Sequence, residues 1–386
     1  MPFSLLTKIL YAAAAMQGVF LAFLIFRTKV NQPANRILAV LLLLLSFHLI
    51  LVGFDEREFF MTFPHLSRIS WIIGSLYWPL LFLFVQHLTH TQPARIWKSF
   101  WAFIPFLVFF FILLPWYTMS AEEKRAILDN FEESSKADFG WINQTVSLLH
   151  ILFQSFLLVY YLRFERNLQR EYSDVESMRI RWLKQFLILV LGVTCVAVFS
   201  FFVRTWNVPV LSGMYEFHFA GIVLLFYWLS YKALTHPVLF GVTKVISPPP
   251  ISEVPAPESE KYKKSSIDQD QLQKIFETVR SVLEQRKLYL KADLTLTELS
   301  AASGVPRHQV SQAINSCYSG NFFDLINDYR IGAFTDLAAQ PDKKNLTLLG
   351  IAQEAGFSSK ATFYSVFRKK TGMTPAEYLE NRSKAA

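Results

Sequence analysis

Apolar side chains dominate the first 240 residues in long runs, then break up into short amphipathic patterns over the rest of the 386-residue chain. A helix needs about 20 mostly apolar residues to cross a bilayer. Seven stretches approach or exceed that length: 4–26, 37–54, 69–88, 100–117, 141–162, 186–203 and 213–234. The first is not patterned as a cleaved signal. Only Lys8 precedes its core, the small-residue run Ala12 to Ala15 falls in mid-segment, and Arg27 and Lys29 follow it. The pattern predicts an all-α chain: a seven-helix transmembrane bundle over 1–246, then a soluble helical domain over 267–386.

Between the two lies 247–266, which opens Ser247-Pro-Pro-Pro250 and continues with Pro255, Pro257 and three glutamates. Proline fixes φ and removes a backbone donor, so this joint is extended. Residues 268–286 then place Leu272, Phe276, Val279 and Leu283 on one helical face. That stripe packs either on its own domain or on a second copy; spacing alone does not choose.

Two later segments share one plan. In the first, Thr295-x-x-Glu298 is a capping box, Gly304 a helix stop, and Pro306 opens a second helix with Val310 and Ile314 inward. In the second, Thr347 caps, Gly356 stops, and Ser358 caps a helix with Phe363 and Phe367 inward. Each is the form of a helix-turn-helix. The outward residues expected at DNA are Arg307, His308, Ser311 and Gln312 in the first unit. Those in the second are Lys360, Ala361, Thr362 and Ser365. Arg and Lys pair with guanine, Gln with adenine, and Ala and Thr methyls with thymine. Arg368 and Lys369, in the basic run ending at Lys370, suit phosphate contacts.

Composition strengthens both halves of the picture. The chain is 52% hydrophobic with 37 Phe, too apolar for an ordinary soluble protein. Its formal charge of +8 suits a nucleic acid or an anionic membrane. From Lys261 onward there are 18 basic and 13 acidic residues. The two cysteines, Cys195 and Cys317, form no framework or metal pair and are expected as buried thiols.

Lys and Arg also set an orientation. One set of loops carries Arg27, Lys29, Arg36, Arg95, Lys98, Arg163, Arg166, Arg170, Arg179, Arg181 and Lys184. The alternate loops carry Arg57, Lys124, Arg125, Lys136 and Arg204 together with most of the acids. Basic loops stay in the cytoplasm. The bias therefore puts the N-terminus outside and the C-terminal domain inside, as seven crossings also would.

Two helix-turn-helix units joined by one helix are far more specific than one. Over 284–383 the sequence resembles the AraC/XylS family of bacterial transcriptional regulators. The resemblance rests on Leu294-Thr-Leu-x-x-Leu299, Val310-Ser-Gln-x-Ile-Asn315, Asn321-Phe-Phe-Asp-Leu-Ile-Asn-Asp-Tyr-Arg330, Ile351-Ala-x-x-Ala-Gly-Phe-Ser358, Phe363-x-x-x-Phe-Arg-Lys-Lys-Thr-Gly372 and Thr374-Pro-Ala-Glu-Tyr378. It implies seven helices, with two reading helices in successive major grooves. Phe334 and Gly350 depart from the family pattern, Phe334 where packing between the two halves is at stake. The membrane half resembles, in architecture only, the multi-span sensor regions that precede such domains.

Ionisable groups inside spans mark candidate sensing positions. His150 and Gln154 share a face of the fifth span, and Glu216 and His218 open the seventh. No HExxH, GxSxG, GxGxxG or P-loop pattern occurs, so neither enzyme activity, a cofactor nor a metal is expected. The expectation is a one-component transcription factor in the bacterial inner membrane, its C-terminal domain in the cytoplasm. Its partners would be promoter DNA, the lipid bilayer, RNA polymerase, a second copy, and a small-molecule or membrane signal. The alternative is a membrane receptor or transporter whose helical tail binds a protein.

Overall fold

A computed structural model of the protein describes residues 5–29, 31–54, 57–89, 96–130, 134, 138, 140–174, 181–206, 214–235, 268–343 and 345–385. Among these residues the chain is helical throughout, without strands. It forms two compact units, 1–161 with 182–245, and 162–181 with 246–386. Twenty residues expected with the spans thus group with the C-terminal part. The Pro-rich joint at 247–266 lies outside the described residues.

The first unit contains α1 (Leu5–Phe26), α2 (Gln32–Gly53), α3 (Arg57–Thr62), α4 (Ile69–Thr89), α5 (Ile104–Thr118) and α6 (Ala121–Asp129). It also takes in most of α7 (Trp141–Gln169), α8 (Arg181–Thr205) and α9 (Met214–Thr235). Ala14, Gly18 and Ala22 recur every four residues on the buried face of α1. Small residues at this spacing let apolar helices approach closely. The approach is close enough that a Cβ on Gly18 would lie 2.2 Å from Ser46 Oγ of α2 and 2.8 Å from the Phe226 ring of α9. Away from these contacts the helices stay apolar, with Leu6, Met16, Phe20, Phe111, Leu152 and Leu224 exposed. A helix apolar on every side belongs in a large core or a membrane.

Among the described residues six helices are long and apolar enough to cross a membrane, not the seven expected. The seventh segment does fold as α9, but its described apolar stretch, Phe219–Ala233, is short. Cys195 likewise departs from expectation: it is exposed on α8, while Cys317 is half-buried.

The second unit builds on α10 (Gln269–Gln285), α11 (Leu296–Ser303), α12 (Arg307–Cys317), α13 (Phe322–Ala338), α14 (Leu348–Glu354), α15 (Lys360–Thr371) and α16 (Pro375–Ala385). The stripe on α10 packs against its own domain. Val279 and Leu283 join Leu294, Leu296, Leu299, Val310, Ile314, Phe322, Leu325 and Ile326 in one core. A separate core holds Ile331, Phe334, Ile351, Ala352, Ala355, Phe357, Phe363 and Phe367. The long α13 supplies residues to both, and so ties the two halves together.

Candidate nucleic-acid interface

Each half of the second unit positions its outer helix by a short scaffold helix. On α11 the Thr295 hydroxyl accepts from the Glu298 amide at 3.2 Å, and the Glu298 carboxylate accepts from the Thr295 amide at 3.0 Å. The box satisfies two amides that the first turn leaves unpaired. Gly304, at φ +68°, stops α11 in the left-handed region that favours glycine. Three residues later α12 begins, held against α10, α11 and α13. In the second half Thr347 caps α14 by accepting from the Gly350 amide at 3.1 Å. Gly356, at φ +95°, then turns the chain toward α15.

Most of the residues expected at DNA reach the surface. Arg307 and His308 are exposed at the start of α12, and Ser311 is half-buried. Lys360, Ala361, Ser365, Arg368 and Lys369 form an exposed face along α15. Two expectations of outward side chains fail. Gln312 is only 8% exposed, because α12 is covered on three sides by its neighbours. Thr362 is 3% exposed and turns back into the helix cap. The cap itself is Ser359, not Ser358: its hydroxyl accepts from the Thr362 amide at 3.0 Å and lies 2.9 Å from the Thr362 hydroxyl.

The basic end of α15 is partly neutralised within the domain. Lys369 reaches Asp324 at 3.0 Å, and Lys370 bonds Asp328, both acids lying on α13. Lys369 remains 76% exposed, so this pair is weakly held and its ammonium is free to exchange partners. Arg368 and Lys360 add to the same surface, with the Lys360 ammonium 5.6 Å from the Tyr364 ring.

Behind the surface sits a buried cation. Arg330 of α13 is fully buried, and its guanidinium donates to the carbonyls of Tyr289 (2.8 Å), Lys291 (2.8 Å) and Ala292 (3.1 Å). Burial brings its pKa down to about 10, against the opposing pull of Asp174 and Asp293, so it stays charged at neutral pH. The same group donates to the carbonyl of Ser173 at 3.1 Å and its hydroxyl at 3.0 Å. Ser173 follows α7 and belongs to this unit. Its neighbours Glu171 and Asp174 bond Arg307 and Ser358 respectively. Sequence patterns miss these contacts, because nothing local in a charged interhelical loop announces a partner 136 residues away.

In the first unit, His150 Nδ1 lies 2.9 Å from the Val146 carbonyl and Nε2 3.3 Å from the Gly74 carbonyl. A neutral imidazole donates to only one of these. Its ring meets that of Trp78 edge-on at 4.5 Å. Nearby, His48 Nδ1 is 2.7 Å from the Tyr77 hydroxyl. Gln154 is 8% exposed, and among the described residues its buried carbonyl oxygen finds no partner; neither does the indole nitrogen of Trp78. The side chains of Glu216 and His218 lie outside the described residues.

Residues 281–381 match the family described as a helix-turn-helix domain, of the AraC type. No curated protein and no solved structure matches the chain. The C-terminal region is thus the DNA-binding domain of a transcription regulator, and its ligand is double-stranded DNA. Domains of this type are generally non-enzymatic.

Proposed function

We propose that the protein is a one-component transcription factor anchored in a bacterial inner membrane, with its DNA-binding domain in the cytoplasm and its activity set by a signal at the membrane unit. The single observation that carries this reading is the pairing, in one chain, of six membrane-length apolar helices with the helix-turn-helix match at 281–381. In this reading α12 and α15 enter successive major grooves. Arg307, His308 and Ser311 read from the first helix. From the second, Lys360, Ala361 and Ser365 face base edges while Arg368 and Lys369 hold phosphates. Gln312 and Thr362 support their helices from within.

Two independent arguments favour a cytoplasmic C-terminal domain. The end of α7, the loop after it and the start of α8 together carry six Lys and Arg, from Arg163 to Lys184, which keeps this loop on the cytoplasmic side. That loop also bonds the C-terminal domain through Ser173 and Asp174, so the two share one side of any bilayer. The chain between them then crosses an even number of times. If α8 is one crossing, α9 is the other; its 22 residues rise about 33 Å, enough for the hydrocarbon core. The polar cluster around His150, Gln154 and Trp78 is the proposed sensing site, a buried set of groups whose bonding changes with protonation or ligand.

The test is binding of promoter DNA by the full-length protein in lipid nanodiscs. Affinity should fall steeply with salt, and Arg307→Ala and Lys360→Ala should each weaken binding about tenfold. Removing a phosphate contact with Lys369→Ala should reduce the salt slope by about 1. Salt-insensitive binding, or an outward-facing reporter fused at residue 246, would reject the reading in favour of a receptor whose tail binds protein.

A further inference from the structure

We infer that residues 171–174 are an internal acidic ligand of the DNA-binding domain, seated so that DNA and this segment exclude one another. The inference rests on the reading that α12 and α15 face DNA, and adds how that face is controlled. Four consecutive residues make the contact. Tyr172 pairs with Thr295 in an isolated antiparallel bridge. The Ser173 amide donates to the Leu294 carbonyl at 3.1 Å, and the Leu296 amide donates to the Glu171 carbonyl at 2.9 Å. Leu296 opens α11, so the segment caps a scaffold-helix amide that otherwise has no partner.

The side chains then reach both reading helices. Glu171 takes the Arg307 guanidinium in a two-point fork, with Nε to Oε2 at 3.0 Å and Nη2 to Oε1. Such a fork is the geometry in which Arg also grips a phosphate or a guanine edge. Asp174, 5% exposed, accepts a hydrogen bond from Ser358 two residues before α15. Two carboxylates therefore stand at the leading ends of the two helices. A DNA strand arriving there meets an Arg already engaged and two like charges close to its phosphates.

Between them, fully buried Ser173 is held by Arg330 through its carbonyl and hydroxyl, and Asn327 Nδ2 lies 3.4 Å from the same carbonyl. Arg330 keeps its bonds to Tyr289, Lys291 and Ala292 without Ser173. The domain core therefore survives withdrawal of the segment, and the seat is reversible. Because the segment directly follows α7, a shift of that helix is a direct way to withdraw it. The requirement on any signal is only that it bind the seated and withdrawn forms unequally.

The experiment uses full-length protein in nanodiscs and a labelled random-sequence duplex long enough for two successive major grooves. Glu171→Gln with Asp174→Asn, and separately Ser173→Pro, should tighten binding about tenfold, the gain when a state populated about one part in ten becomes dominant. Without any substitution, saturating duplex should speed hydrogen exchange at the Leu296 amide, since coupling between two ligands is reciprocal. Unchanged affinity in both variants, or a Leu296 amide equally protected with DNA bound, would overturn the inference while leaving DNA binding intact. The separate arm is Arg368→Ala with Lys369→Ala, which should weaken duplex binding of the withdrawn form. If no form binds duplex, the DNA reading fails, and this inference with it.

Discussion

The two helix-turn-helix halves follow one sequence plan and are stabilised differently. The first is packed by aliphatic residues, with Val279, Leu283, Leu296, Leu299, Val310 and Ile314 buried to 1% or less. The second is packed by rings: the Phe334 ring centre lies 4.6 Å from that of Phe363 and 5.5 Å from that of Phe367, and Phe357 meets Phe363 at a tilt, 5.2 Å away. Scaffold helices differ in the same direction. The first has a full capping box and an eight-residue α11; the second has a single-sided cap and a seven-residue α14. The second half thus depends on its core where the first shares the load with local hydrogen bonds. Two near-repeats in sequence need not be equally robust.

Phe334 is the sharpest test of that difference. Its ring is fully buried in the second core and makes no part of the first. Phe334→Ala should cost about 3–5 kcal/mol, the usual loss for a buried aromatic and the cavity it leaves. Hydrogen exchange should speed across α14 and α15 while amides of α11 and α12 keep most of their protection. Uniform loss of protection in both halves would mean that α13 couples them into one cooperative unit, and the contrast drawn above would fail.

That difference was only partly legible in the sequence. Caps and glycine stops depend on residues within a turn or two, so Thr295, Gly304, Thr347 and Gly356 could be placed from the string alone. Phe334 was expected to alter packing between the halves, but its place in the second core was not legible, because which core a ring joins depends on helices distant in sequence. Ser358 and Ser359 are adjacent and equally good caps; only Asp174, more than 180 residues upstream, distinguishes their roles. Gln312 and Thr362 face outward on a helical wheel, but a wheel carries no information on how many neighbours a helix has, and both are buried. At α9 the described apolar stretch, Phe219–Ala233, is shorter than the segment expected from the sequence.

The stop glycines offer a second contrast of smaller size. Both have positive φ, but a Cβ on Gly304 meets nothing within 4 Å, whereas one on Gly356 would lie 2.5 Å from the Tyr289 carbonyl oxygen and 2.9 Å from Leu290 Cα. Gly304→Ala should cost about 1–2 kcal/mol, the left-handed penalty alone. At Gly356 the same change adds overpacking against backbone that cannot swing aside, for a total of about 3 kcal/mol. Denaturant midpoints of the two variants decide it. Equal losses would show that the 289–292 segment yields easily, and that Arg330 does not hold it in place.

The smallest effect runs the other way and tests whether the weaker scaffold can be repaired. Gly350 sits at the third position of α14 with ordinary helical φ, and an added Cβ would come no closer than 3.4 Å to the Thr347 hydroxyl. Gly350→Ala should stabilise the second half by about 0.5–1 kcal/mol, since glycine loses more backbone freedom on entering a helix. Gly350→Glu should do at least as well, because a carboxylate at this position can return a hydrogen bond to the Thr347 amide as Glu298 does to Thr295. Slower exchange confined to α14 is the expected readout. If Glu gives no more protection than Ala, the capping box is not what separates α11 from α14, and the contrast between the halves reduces to their cores.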